Sequence, residues 1–256
     1  MSHLEIYQYI LVGLTFVWSG VVRSGLGFGG AVLALPILLL IDDRPLVYLP
    51  IIAVHLLFFS SLTIWQSYRQ TRKEVGESTV AWSFLGKALL VMLVPKLIGV
   101  FGLLNLPTHI MNTIIFSIIS IYALSYLLNR SFISKHKVVD VLFLMLGGYI
   151  SGTSLIGAPV LVAVFAKYVR RYQLRDTLFA LWFILVTIKM GSFIYADVDL
   201  QLRQHFWLLP CAGVGHYIGL KLHHYLMEAD SVKFYRLLGG ALLLTSSIGL
   251  YRVWME

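Results

Sequence analysis

Apolar residues run through this chain in long blocks, and polar ones gather in the short stretches between them. In the first half the blocks lie near Ile6–Arg23, Gly30–Ile41, Leu46–Trp65, Thr79–Leu103 and Thr108–Leu128. In the second half they lie near Val138–Ser151, Gly157–Tyr168, Leu174–Tyr195, His205–Leu222 and Phe234–Trp254. Six or more reach the roughly 20 residues that a helix needs to cross a bilayer. The two-residue alternation of an outer-membrane barrel strand does not appear, so each block predicts a helix. The second block of each half is only about 12 residues, roughly 18 Å of helix, too short to span comfortably. Such a piece suits a half-helix or re-entrant segment, tolerated at membrane depth where protein or a water-filled cavity surrounds it.

Composition agrees with this pattern. Of the 256 residues 59% are apolar and 12% charged, and the mean hydropathy is +0.83. Soluble domains carry about 25% charged residues, so the expected class is an all-α polytopic membrane protein. A single cysteine, Cys211, excludes an internal disulfide and a cysteine-based metal cluster. The N-terminus MSHLEIYQ has neither a basic region nor an A-x-A site, which predicts a retained first helix rather than a cleaved signal peptide.

The net charge of +8 is unevenly placed: thirteen of the twenty lysines and arginines fall in Arg69–Lys73, Arg130–Lys137, Lys167–Arg175 and Lys221–Arg236. The positive-inside rule puts these regions in the cytoplasm, with the connections around Asp42–Arg44, Asn105–Thr108 and Asp197–Arg203 outside. The loop before the third block is then outside and its counterpart before the eighth inside. Two inverted-topology repeats of about five segments follow, residues 1–129 and 130–256, with both termini outside. Each repeat opens with a broken or re-entrant helix pair, and parity leaves open whether that pair makes two full crossings or one hairpin. Inverted repeats suit alternating access to a central site.

The breaks themselves resemble one another. Ser24-Gly25 and Gly30-Ala31 recur as Ser151-Gly152 and Gly157-Ala158, at a constant spacing of 127. Gly25, Gly27, Gly29 and Gly30 crowd the first copy; Ser151, Thr153 and Ser154 bring hydroxyls to the second. Each break precedes the start of an apolar helix, whose unpaired N–H groups and partial positive charge attract anions. Close helix packing by small residues is the competing explanation. Gly25, Gly27 and Gly30 also fit G-x-G-x-x-G, but no strand precedes them and Leu46 to Pro50 offers no acid, so a dinucleotide site is rejected.

Four basic residues, Arg23, Lys87, Lys96 and Lys189, lie inside or at the edge of apolar blocks, while Asp140 and Asp176 stand only at block ends. A lysine at the bilayer centre costs roughly 2.5–3.5 kcal/mol and usually marks a pathway or a partner. With no buried carboxylate the missing partner would be an anion; for Lys96 and Lys189 snorkelling to the interface is the alternative. His55 and His216 also lie within blocks and are the candidates for proton coupling, against a plain structural role. No histidine pair has metal-ligand spacing, and His223–His224 falls in a predicted cytoplasmic loop.

At Gly25-Leu26-Gly27-Phe28-Gly29-Gly30 with Pro36, and at Ser151-Gly152 with Gly157-Ala158-Pro159, the chain resembles the TauE/SafE family of membrane transporters, the sulfite exporters. The resemblance covers nearly the whole chain; the second motif departs from it, with Leu155 and Ile156 where the family tends to be glycine-rich. It implies transport of small sulfur-containing anions (sulfite, thiosulfate, sulfonates or sulfoacetate) across the inner membrane of a bacterium.

The expectation is therefore a secondary transporter, an exporter by its resemblance, with the anion held near the midplane by N–H groups of Gly29, Gly30, Ala31, Gly157 and Ala158. Gly27 completes the first break, hydroxyls of Ser24, Ser151, Thr153 and Ser154 assist, and Arg23, Lys87 or Lys189 supplies countercharge. Lys87→Ala and Gly30→Leu are expected to abolish anion binding without unfolding the chain. An anion-selective channel is the alternative; an intramembrane enzyme lacks H-E-x-x-H and any buried carboxylate pair, and a structural subunit would bind no small anion. No cofactor and no metal are expected. The expected partners are the anion and membrane lipid, without nucleic acid, and a homodimer is compatible with this scheme.

Overall fold

The computed structural model describes residues 1, 4–26, 30–74, 78–130, 132, 136–228 and 231–255. Its elements are α1 (Ile6–Leu26), α2 (Gly30–Ile41), α3 (Pro45–Glu74), α4 (Trp82–Asn105), α5 (Thr108–Leu127), α6 (Lys137–Ser154), α7 (Ala158–Tyr168), α8 (Arg171–Tyr195), α9 (Leu202–Glu228) and α10 (Ser231–Met255). Among the described residues there is no strand, and six of the helices are long and apolar enough to cross a membrane. The chain is a polytopic all-α membrane protein. Most predicted boundaries hold to within a few residues. The largest extension is in α3, which continues past Trp65 to Glu74, carrying the basic stretch after Arg69 as helix. Similarly α9 runs through His223 and His224, which were expected in a loop.

The chain divides into two compact units, one of residues 1–51, 105–131 and 199–256, the other of residues 52–104 and 132–198. Each unit draws helices from both halves of the sequence.

In the first unit α1 packs along α9, and α5 along α10. The α1–α9 crossing is close because Gly20 presents bare backbone to the carbonyl of Ala212, and Gly215 does the same to Val17. Small residues let membrane helices approach until dispersion contacts dominate. On the other pair, Gly249 lies under the Phe116 ring, and Ser120 Oγ donates to Ser246 Oγ at 2.9 Å. The short α2 folds back along α1: Gly30 sits against Ser19 O, and Gln8 Nε2 donates to Ile41 O at 3.4 Å. The opening pair of this unit is thus a hairpin, a long helix returned by a short one. Beyond α2, Arg44 forks both Nε and a terminal nitrogen onto Asp42, each at 2.8 Å. That hydrogen-bonded carboxylate holds the guanidinium above its ordinary pKa.

The second unit repeats the hairpin with α6 and α7. At its far end Lys167 Nζ donates to Asp140 at 2.9 Å, and Tyr168 Oη donates to the same carboxylate. Asp140 is buried, so two donors offset the loss of its hydration. Leu161 and Phe165 of α7 pack with Leu85 and Met92 of α4 and Leu181 and Leu185 of α8 in one core. On α4 the usual polarity of an amphipathic helix is reversed. Leu90, Val94, Ile98 and Phe101 form an exposed apolar stripe, whereas the buried side carries Lys96. Lipid is the natural solvent for such a stripe.

Candidate functional site

α6 ends inside the second unit, at Ser154, with Leu155 as its cap in the left-handed region at φ 61°. The last four carbonyls of a helix have no partner within it and carry its partial negative charge. Two lysines from neighbouring helices close on them. Lys96 Nζ, from α4, donates to Ser151 O at 3.3 Å and to Ser151 Oγ at 3.1 Å. Lys189 Nζ, from α8, donates to Gly152 O at 2.7 Å and to Thr153 O at 3.1 Å. Both lysines are 0% exposed. Glycine makes the approach feasible: Gly99 of α4 and Gly152 of α6 face each other so closely that a Cβ on Gly152 would run into Lys96 O.

Lys96 lies nine residues before the end of α4 and Lys189 six before the end of α8, about 13 and 9 Å along their axes. Snorkelling, the alternative for both, does not occur, because the orphan carbonyls lie within bonding reach. Nor do the ammonium groups await an anion as their first partner; three backbone oxygens and a hydroxyl already hold them. Charge balance is another matter. The only acids of α4, α6, α7 and α8 are Asp140 and Asp176; along α6 and α8 they stand roughly 17 Å or more from Ser151 and Lys189. α7 begins three residues after Leu155, at Ala158, and its start contributes about as much positive charge as the end of α6 contributes negative. Neither Asp140 nor Asp176 therefore stands beside the two lysine side chains.

The hydroxyls are otherwise engaged. Thr153 Oγ1 and Ser154 Oγ each donate to Ile150 O at 3.0 Å, and a hydroxyl has only one proton to give. Ser151 Oγ serves Lys96. Gly157 and Ala158 are buried at the start of α7. A Cβ on Gly157 would meet Gly147 O at 2.6 Å, and one on Gly30 would meet Ser19 O at 2.7 Å. Both glycines are therefore required by hairpin packing, and Gly30→Leu would disturb the fold rather than leave it intact.

In the first unit Arg23 is 7% exposed in the last turn of α1, and beside it Ser24 Oγ lies 2.5 Å from His216 Nδ1 of α9. Gly30 and Ala31 begin α2 and are buried. Gly27 and Gly29, expected to contribute to the first break, lie outside the described residues. Ser24 and Ser151 keep the spacing of 127, while His216 and Lys96 are 120 apart, as are Gly219 and Gly99. A serine at the end of the hairpin's long helix, bonded to a basic residue of its packed partner, thus occurs once in each unit. His55 is buried on α3.

Lys87 does not join the other lysines. It is exposed on α4, five residues beyond the start of the helix at Trp82. The residue that sequence reasoning passed over is Lys96, read as a candidate for snorkelling. The signal that could have placed it was the Gly99–Gly219 correspondence. That spacing differs from the one linking the glycine breaks.

A family model described as "Sulfite exporter TauE/SafE" matches residues 11–250. The chain belongs to the TauE/SafE family. No curated protein and no solved structure matched it. As a TauE/SafE member with six membrane-length apolar helices, the chain is a multi-pass membrane protein of a transporter family. Its left-handed Leu155 stands in the stretch where the resemblance expects glycine. Holding a non-glycine residue there costs on the order of 1–3 kcal/mol, offset in part by burial of the leucine side chain.

Proposed function

We propose that this TauE/SafE member is a secondary transporter that exports small oxyanions of sulfur, such as sulfite, thiosulfate or sulfonates, by alternating access. The observation that carries this is the pair of fully buried lysine side chains at the end of α6, with no acid of α4, α6, α7 or α8 beside them. An anion entering the α6–α7 break finds both lysines and the start of α7 around it. Ser24, His216 and Arg23 give the first break a related but weaker basic character. In this scheme residues 1–129 and 130–256 are inverted copies, the site is that of a bacterial inner-membrane protein, and both termini face outward. The recurrence of the serine–base pair supports the duplication, as does the glycine crossing of a hairpin helix with its partner. Complete burial of the lysines suits a carrier that closes over its solute better than an open channel, which would keep them wet.

The test is transport by purified protein in liposomes loaded with sulfite. Saturable efflux, with labelled sulfite accumulating against unlabelled sulfite in counterflow, is the expected result. Flux that neither saturates nor shows counterflow would establish a channel instead.

A further inference from the structure

A second polar site lies in the first unit, where the end of α2, the start of α5 and the end of α10 come together. They enclose a pocket of 130 Å³; on the same scale one water needs only about 10–15 Å³. Asn112 is the notable side chain. It is 1% exposed, its Nδ2 donates to Asp43 O at 2.5 Å, and its Oδ1 has no donor among the described residues. An unmet buried acceptor loses the free energy of its hydration, so this oxygen calls for an N–H or O–H donor. Asp43, His109 and Arg252 line the same pocket. Arg252 is anchored by a 2.7 Å bond from its terminal nitrogen to Leu40 O.

A pocket lined by an unmet buried acceptor, an aspartate, an arginine and a histidine offers partners for both ends of a small zwitterion. A simple anion would meet Asp43, and a simple cation would meet Arg252. We propose that this pocket binds an ammonium group carried a short distance from an oxyanion, supplied by the aminoethyl phosphate headgroup of a membrane lipid. The ammonium would donate to Asn112 Oδ1 and Asp43, and the phosphate would accept from Arg252 and His109. Depth in the bilayer favours a headgroup. The pocket lies at the ends of two membrane-length helices, α5 and α10. Tyr251 and Trp254, exposed on the last turns of α10, are of the type that anchors at the headgroup level.

The experiment is native mass spectrometry of the full chain in detergent with phosphatidylethanolamine and phosphatidylglycerol in equal amounts. Thermal-shift titrations with free O-phosphoethanolamine and taurine accompany it. At least a fivefold preference for phosphatidylethanolamine is expected, falling to parity in Asp43→Asn and in Arg252→Gln. Asp43→Asn leaves the backbone carbonyl that Asn112 uses, so its loss of binding reports on the ligand rather than on the fold. A thermal shift with either free zwitterion that Asp43→Asn and Arg252→Gln abolish, without a lipid preference, keeps the site and overturns the lipid as its source. Neither preference nor shift, or variants that bind like the parent, overturns the proposal.

Discussion

Replacing Lys189 by methionine separates a structural role from an anion-binding one. Methionine keeps most of the volume and removes Nζ, with its bonds to Gly152 O and Thr153 O at 2.7 and 3.1 Å. Hydrogen bonds to a charged group are worth about 1.5–3 kcal/mol each, so roughly 3–6 kcal/mol of favourable contact is lost. Against this, a charge no longer has to be buried, which returns about 2.5–3.5 kcal/mol on insertion scales. The net effect on stability is a loss of at most about 3.5 kcal/mol. Binding is affected differently. A unit charge about 4 Å from a monoanion, at an effective dielectric constant near 20, contributes about 4 kcal/mol, or roughly a thousandfold in Kd. Titration calorimetry of sulfite with purified parent and Lys189→Met, alongside melting temperatures of both, makes the comparison. A folded variant with about a thousandfold weaker sulfite binding is the expected result. If the variant binds sulfite within threefold of the parent, Lys189 only caps α6, and the proposed site is wrong.

Other perturbations give sharper structural outcomes. Gly152→Ala pushes a Cβ into Lys96 O, so α4 and α6 must separate, and a loss of about 1–3 kcal/mol is expected; Gly86→Ala, with open space around it, should leave the detergent melting temperature unchanged or raised. Asp140→Asn removes the negative charge and one of the two oxygens that Lys167 and Tyr168 use; a lower melting temperature and faster proteolysis at the α7–α8 junction should follow, and unaltered proteolysis would exclude that tie. If His216 carries the coupled proton through its contact with Ser24, His216→Ala should flatten the dependence of transport rate on pH between about 5 and 8, measured in liposomes with imposed gradients.

Much of this molecule is legible in its sequence. Uninterrupted apolar blocks leave the backbone no option in lipid but to satisfy itself, so the ten helices and most of their ends follow from hydropathy. The interruptions between Ser24 and Ala31 and between Ser151 and Ala158 were equally plain in the sequence, because glycine clusters and lone hydroxyls stand out against leucine and valine. The glycines themselves were harder to interpret. Gly30 and Gly157 suit an anion-binding turn and a close crossing equally well by type, and their backbone neighbours, Ser19 O and Gly147 O, show the packing requirement.

What determined the class of this protein is a local property, the transfer free energy of each segment, which is written residue by residue and survives any rearrangement of neighbours. The partners of Lys96 and Lys189 are of another kind. They depend on which helix end lies within about 3 Å of an ammonium group, a distance created by two glycines from separate helices meeting backbone to backbone. Neither helix alone carries that information, so burial of the two charges against the carbonyls of α6 was decided only by packing.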